Sequence, residues 1–190
     1  MTQARVLSEL EMTRLLEYVG QTRYAARNRA ILLLTHLAGL RVGEVAALRW
    51  GDILTADGQV RTEFRLTATM TKGGRARTLY VSQKLMEALM TYAEGVAFKT
   101  PDAALFPSQK QRRAGFTPNS LAQTLKGLYL GAGIDQASSH SGRRSFLTNL
   151  ADKGVGIHVL AQLAGHRRIS TTAQYLYASP KLLARAVNLA

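Results

Sequence analysis

The chain has no cysteine, which excludes disulfides, thiolate nucleophiles and cysteine-ligated zinc, and which permits a reducing compartment. It has no hydrophobic run long enough to span a bilayer. The longest, "AILLLTHLAGL" from Ala30 to Leu40, is too short and is broken by Thr35, His36 and Gly39. The opening "MTQARVLSELEM" lacks the apolar core of a signal peptide. A soluble cytoplasmic protein with no membrane partner is therefore expected. The four histidines form no HExxH-type pair and the twelve acidic residues no carboxylate cluster, so neither a metal site nor a cofactor is expected. Internal repeats and low-complexity tracts are also missing.

Against the shortage of acids stand 25 Lys and Arg, giving a formal net charge of +13. So basic a surface calls for a polyanion. Nucleic acid fits best, because the basic residues are spread through folded-looking sequence and do not form a detachable tail. A ribosomal or anionic-membrane partner would satisfy the same number. With 46% hydrophobic residues in 190, there is enough apolar material for a core that folds alone.

Ser8 followed by Glu11 makes a capping box, and Met12, Leu15, Leu16 and Val19 recur at helical spacing. A second helix is predicted from Arg23 to Ala38, stopping at Gly39, and a short one in "LRVGEVAALRW". After the "ADG" turn, Gln59 to Thr69 and Arg75 to Val81 read as strands flanking "KGG" at 72–74, a hairpin and the only clear β region. Five helical stretches follow: "SQKLMEALMTYAEG", "TPNSLAQTLKGLYLGAG" with Thr117 as cap and Pro118 at its first position, "SHSGRRSFLTNLADKG", "GIHVLAQLAG" and "STTAQYLYA". The basic, proline-containing "KTPDAALFPSQKQRRAGFTP" reads as an exposed connection. The predicted class is mainly α (α+β), with one small antiparallel sheet.

Tyr175 is a candidate nucleophile. A phenol with a pKa near ~10 needs a neighbouring base or strong positive potential before it attacks anything. His166 lies nine positions upstream, just past the Gly165 helix stop; His140 and Arg143 stand at i and i+3 on one helix face. Arg41 follows the Gly39 turn, and Lys72 tips the hairpin. Two guanidiniums, an ammonium, two imidazoles and a phenol suit a phosphodiester, whose transfer is catalysed mainly by positioning and by stabilising charge on the nonbridging oxygens. Each residue also has a plainer reading. Tyr175 could be an ordinary packed aromatic, and Tyr177 is an equal phenol two residues on. Helical residues two apart point some 200° away from each other, so only one of them can face a given phosphate. Arg41 could simply pair with Glu44, Lys72 could be a solvated loop residue, and His140 could cap a helix. His36, in an apolar run, and His158 are assigned to structure.

In order, "AGLRVGEVAALRWGDI", "TKGGRARTLYV", "HSGRRSF" and "LAGHRRISTTAQYLY" resemble the four successive motifs of the tyrosine recombinase (phage integrase) family's catalytic domain, from about Val6 to about Ala178. The resemblance implies a fold, an activity and roles. Arg41 and Arg143 would grip the scissile phosphate, Lys72 would protonate the 5′-oxygen, and His140 would be an acid/base partner. His166 would donate a hydrogen bond to the phosphate, and Tyr175 would form a 3′-phosphotyrosyl link; the family's nine-residue interval from the histidine selects Tyr175 over Tyr177. The family's usual leucine before the second arginine is Gly142 here, expected to remove a packing anchor and loosen the placement of Arg143.

The resemblance further implies double-stranded DNA as partner, a homo-oligomer (dimer or tetramer) on DNA, and room for an accessory DNA-bending or directionality protein. It places the protein at a bacterial nucleoid or in a phage or mobile element. Arg112, Arg113, Arg144, Arg167 and Arg168 are candidate DNA contacts. Residues 1–190 are expected to form a single catalytic domain without the family's preceding core-binding domain, like the small fimbrial phase-switch recombinases. Residues 179–190 are expected to make a tail helix, either folded onto its own core or exchanged between protomers. The alternatives are a type IB topoisomerase-like relaxing enzyme and a non-catalytic DNA-binding regulator on the same scaffold.

Overall fold

Ser8 opens the first helix through both halves of its capping box. Its hydroxyl accepts from the Glu11 N–H, and the Glu11 carboxylate accepts from the Ser8 N–H at 2.9 Å. In the computed structural model, which describes residues 3–71, 73–97, 99–108, 115–176 and 187–188, this helix is α1 (Glu9–Gly20). It buries Leu15 and Val19 against α2 (Ala25–Leu37). The predicted start of α2 at Arg23 is two residues early, because residues 22–25 form a turn in which the Ala25 N–H bonds to the Thr22 carbonyl. From Ala30 to His36 every residue of α2 is buried, as expected of the central helix, and α1, α5 (Gln83–Glu94) and α7 (Ser141–Asp152) pack around it.

The single short helix predicted after Gly39 is two: α3 (Val42–Ala47) and α4 (Trp50–Ile53). They are separated because Leu48 and Arg49 are extended and pair with Ala104 and Leu105. That pairing also corrects the reading of residues 99–118 as an exposed connection. Leu105 and Phe106 are buried in the core, and the Tyr92 hydroxyl donates to the Leu105 carbonyl at 2.8 Å.

Strands β1 (Glu63–Leu66) and β2 (Arg77–Tyr80) are antiparallel, with Phe64 opposite Leu79 and both buried. They are shorter than predicted, and no tight hairpin joins them. The chain leaves the sheet at Thr67 into a 3-10 turn (Ala68–Met70). The Thr71 hydroxyl then bonds both the N–H and the carbonyl of Arg75, at 3.0 and 2.9 Å, offering the backbone a local alternative to the ladder.

Helix α6 (Pro118–Gly131) starts from its Thr117 cap as predicted, and α8 (Ile157–Ala164) and α9 (Ile169–Ala173) follow α7. The main core runs from α1 to α6 and includes the hairpin, while α7 and α8 share a smaller cluster of Leu147, Ala151, Leu160 and Ala164. The fold is mainly α with one small antiparallel sheet. The last helix stops short of its predicted end. Tyr175 stands in the turn after α9, its N–H bonded to the Thr172 carbonyl. Tyr177 and all of the predicted tail helix except residues 187–188 lie outside the described residues.

Candidate active site

Gly39 ends α2 with φ of +64°, a left-handed turn that sets Arg41 at the N-terminus of α3. Three residues on, Glu44 accepts the Arg41 backbone N–H at 2.8 Å and its guanidinium at 3.1 Å. The pairing with Glu44 is thus real, and Arg41 still reaches a cleft beyond it. Glu44 is only 2% exposed. Both its oxygens receive Arg77, from the first residue of β2, in a bidentate pair at 2.8 and 2.8 Å. Burial works against the Glu44 charge, but the bonds from Arg77, then Arg41, outweigh it and hold the carboxyl below its ordinary range.

Helix α7 delivers Arg143. The expectation that Gly142 loosens this residue is not met, because glycine here permits a close approach. A Cβ on Gly142 would stand 2.3 Å from Thr35 Oγ1 and 2.7 Å from Thr35 Cβ, so its absence lets α7 lie against α2. Arg143 is 4% exposed and donates to the Gly39 carbonyl at 2.7 Å, to the Ala164 carbonyl at 2.6 Å and to His166 Nε2 at 3.0 Å. One guanidinium therefore joins the ends of α2 and α8 to His166. Burial, with Arg41 nearby, pulls the Arg143 pKa down to about 10, which leaves it charged at neutral pH.

Because arginine only donates, His166 Nε2 must accept, and the ring proton sits on Nδ1. That proton points to the Thr172 hydroxyl at 2.9 Å, on a side chain with no solvent exposure. Burial first, then the Arg143 and Arg41 charges, lower the His166 pKa to about 4, so the ring is neutral near pH 7. Tyr175 lies nearly parallel to it, with ring centroids 5.9 Å apart and planes 13° from coplanar. The Arg144 guanidinium lies 5.9 Å from the Tyr175 ring centre and donates to the Gln3 side chain.

Arg41, His140, Arg143, Arg144, His166 and Tyr175 line one open cleft of about 430 Å³. His140 is exposed at the N-cap of α7, with no capping bond from its side chain. Arg41, His166 and Arg167 also border a neighbouring cleft of about 360 Å³ with Arg75 and Arg77. Arg167 and Arg168 are exposed at the start of α9. Lys72, Arg112 and Arg113 lie outside the described residues. His36 is structural: its Nε2 is 3.0 Å from the Tyr129 hydroxyl, and burial lowers its pKa to about 4. His158 is exposed on α8. Among the described residues no three His, Asp or Glu side chains gather to hold a metal, and no helix is long and apolar enough to cross a membrane.

Sequence reasoning passed over Arg77 and Thr172. For Arg77 a signal existed: strand alternation puts it on the same face as buried Leu79, and an arginine on a buried face needs a carboxylate.

Residues 5–181 match the phage integrase family. The chain belongs to that family. Tyrosine recombinase XerA of Pyrococcus furiosus is 30% identical, with 100% of this chain aligned to 63% of that protein. Tyrosine recombinase XerD of Oceanobacillus iheyensis is 32% identical over 90% of this chain and 57% of its own length. The chain thus spans less than two thirds of the curated relatives it matches. The crystal structure of XerA recombinase shares the fold with a TM-score of 0.78 at 24% identity, covering 99% of this chain and 66% of that one. XerH site-specific recombinase bound to palindromic difH substrate, in a post-cleavage complex, gives 0.72 at 21% identity over 96% of this chain and 51% of that one.

Proposed function

We propose that this chain is a site-specific DNA recombinase that cuts and rejoins strands through a 3′-phosphotyrosyl intermediate. The observation that carries the reading is the single cleft in which Arg41, His140, Arg143, His166 and Tyr175 meet, although they come from separate segments of the chain. The Tyr175 phenolate oxygen attacks the scissile phosphorus. The bond to the 5′-oxygen breaks, and that oxygen leaves with a proton from Lys72, the acid that family membership implies. Arg41 and Arg143 balance the charge spread over the nonbridging oxygens. His166 is assigned first to orienting Arg143, since its Nε2 lone pair already accepts from that guanidinium. His140, exposed at the cleft rim, is the acid/base partner and takes the Tyr175 proton as the phenol becomes the attacking phenolate.

Duplex DNA in the cytoplasm is the proposed partner, met by a dimer or tetramer of this chain, with an accessory DNA-bending or directionality protein as a further participant. The net charge of +13 supports the polyanion. The relatives named tyrosine recombinases favour recombination over topoisomerase-like relaxation. Efficient relaxation of a supercoiled plasmid without a special site would reverse that preference.

The test is covalent capture on nicked duplexes drawn from DNA around the gene, where a cleaved end diffuses away and traps the adduct. The native chain is expected to form a denaturant-resistant protein–DNA adduct, and Tyr175→Phe to form none. An adduct that persists in Tyr175→Phe removes this residue as nucleophile. No adduct with the native chain on any fragment points to a regulator that keeps only the scaffold.

A further inference from the structure

Glu44 serves two arginines of unlike situation. Arg77 is almost sealed from solvent, 8% exposed, and takes both carboxylate oxygens; Arg41 shares one of them at 3.1 Å and is 27% exposed at the cleft. The balance of charge depends on Arg77. With Arg41 alone, the buried carboxylate would cancel the one cation paired with it, and Arg41 would turn inward to satisfy both oxygens, since a buried ion left half-paired is costly. With Arg77 in place the carboxylate is neutralised from behind. The group of three then keeps one net positive charge, and that charge is on the member facing the cleft that Tyr175 lines. The Arg77 Nε is buried with no partner among the described residues, so its hold on Glu44 rests on the two terminal nitrogens.

We propose that Arg77 is a positioning residue for strand cleavage: through Glu44 it keeps Arg41 turned to the cleft and its charge available to the scissile phosphate. The inference rests on the recombinase reading. The same ion pair ties the first residue of β2 to α3, the helix that Arg41 opens.

The experiment uses the nicked duplex on which the native chain forms its adduct, so that failure of the recombinase reading shows in the native arm alone. Adduct formation is timed in single turnover for the native chain, Arg77→Lys, Arg77→Gln and the pair Glu44→Gln/Arg77→Gln, with DNA affinity measured beside it. Arg77→Gln is expected to slow cleavage at least tenfold while affinity changes less than threefold, and Arg77→Lys to recover part of the rate. The double variant, with no carboxylate left to claim Arg41, is expected to cleave faster than Arg77→Gln. A duplex with a neutral methylphosphonate at the scissile position is expected to shrink the difference between native and Arg77→Gln, because the charge that Arg41 meets is gone. Native-rate cleavage by Arg77→Gln overturns the proposal. So does a double variant no faster than the single one, or a deficit of equal size on the neutral linkage, either of which marks Arg77 as a structural residue only.

Discussion

Thr172 has no solvent exposure, and its hydroxyl accepts the proton that the Arg143 bond leaves on Nδ1 of His166. Valine has nearly the same shape without the oxygen, so Thr172→Val isolates that one function. The change leaves the Nδ1–H of a half-buried ring without a partner, which costs about 1–3 kcal/mol of stability. It also removes one of the two bonds that favour the Nδ1–H tautomer. With only the Arg143 bond left to favour it, part of the population is expected to move the proton to Nε2, and the bond from Arg143 is lost in that fraction. Nitrogen-15 NMR of the ring is expected to show a single Nδ1–H form in the native chain and a mixture in Thr172→Val, with a lower urea midpoint. An unchanged tautomer in the variant would show that Arg143 alone sets the ring.

At the scale of the elements, the contact between α2 and α7 puts Arg143 in place, and Gly142 is a point of close approach within it. Two effects of Gly142→Ala oppose each other. Alanine is the better helix former by about 1 kcal/mol in a helix interior, and less in a first turn. A Cβ 2.3 Å from Thr35 Oγ1 forces α7 away from α2 or displaces Thr35, an overpacking cost of about 1–3 kcal/mol. The second wins, so Gly142→Ala is expected to lower the unfolding free energy by about 1 kcal/mol or more in urea titration. Gly142→Leu, which restores the family's usual residue, is expected to lower it further. A gain in stability from either would mean that the helices are not held this close. The example shows what can be read from sequence. The motifs bring Arg41, Arg143, His166 and Tyr175 to one site because each carries its own local signature: a glycine turn, a His-x-x-Arg spacing, a nine-residue interval. The first helix and the Thr117 start of α6 are legible because caps and periodicity are local too. Whether Gly142 loosens or tightens depends on Thr35, more than a hundred positions away, and no local pattern contains that contact. The same holds for Glu44 with Arg77, and for the residues near Leu105 that return to the core and split α3 from α4. The predicted strand lengths and the predicted end of the last helix failed for another reason. Threonine hydroxyls satisfy the backbone at 71–75, and i to i−3 turns end α9, while β-branched composition and helical spacing point the other way.

For the whole molecule, the net charge of +13 has a direction. Arg41, Arg143 and Arg144 line one cleft, Arg75 and Arg167 border the next, and Arg168 stands exposed beside them at the start of α9. Clefts so arranged present a cationic strip to a duplex, and the affinity they give comes mainly from counterions released from phosphates. If the strip meets about six phosphates, log K is expected to fall against log salt with a slope of about −5, a loss near 10³-fold between 50 and 200 mM. Arg167 and Arg168 are exposed and bonded to no carboxylate in the described residues, so replacing both by glutamine is expected to bring the slope closer to zero by about 2 and to weaken all sequences alike. Arg77→Gln differs: its own charge is spent on Glu44 inside the protein, so the salt slope is expected to move by no more than about 1, the single phosphate contact that Arg41 gives up. Gel-shift titrations at several salt concentrations separate the two kinds of arginine. On a fragment with two inverted copies of the captured site, a single protomer that holds so few phosphates is expected to bind weakly and the pair cooperatively. Tight, salt-insensitive, non-cooperative binding by one protomer would place the affinity in contacts other than this strip.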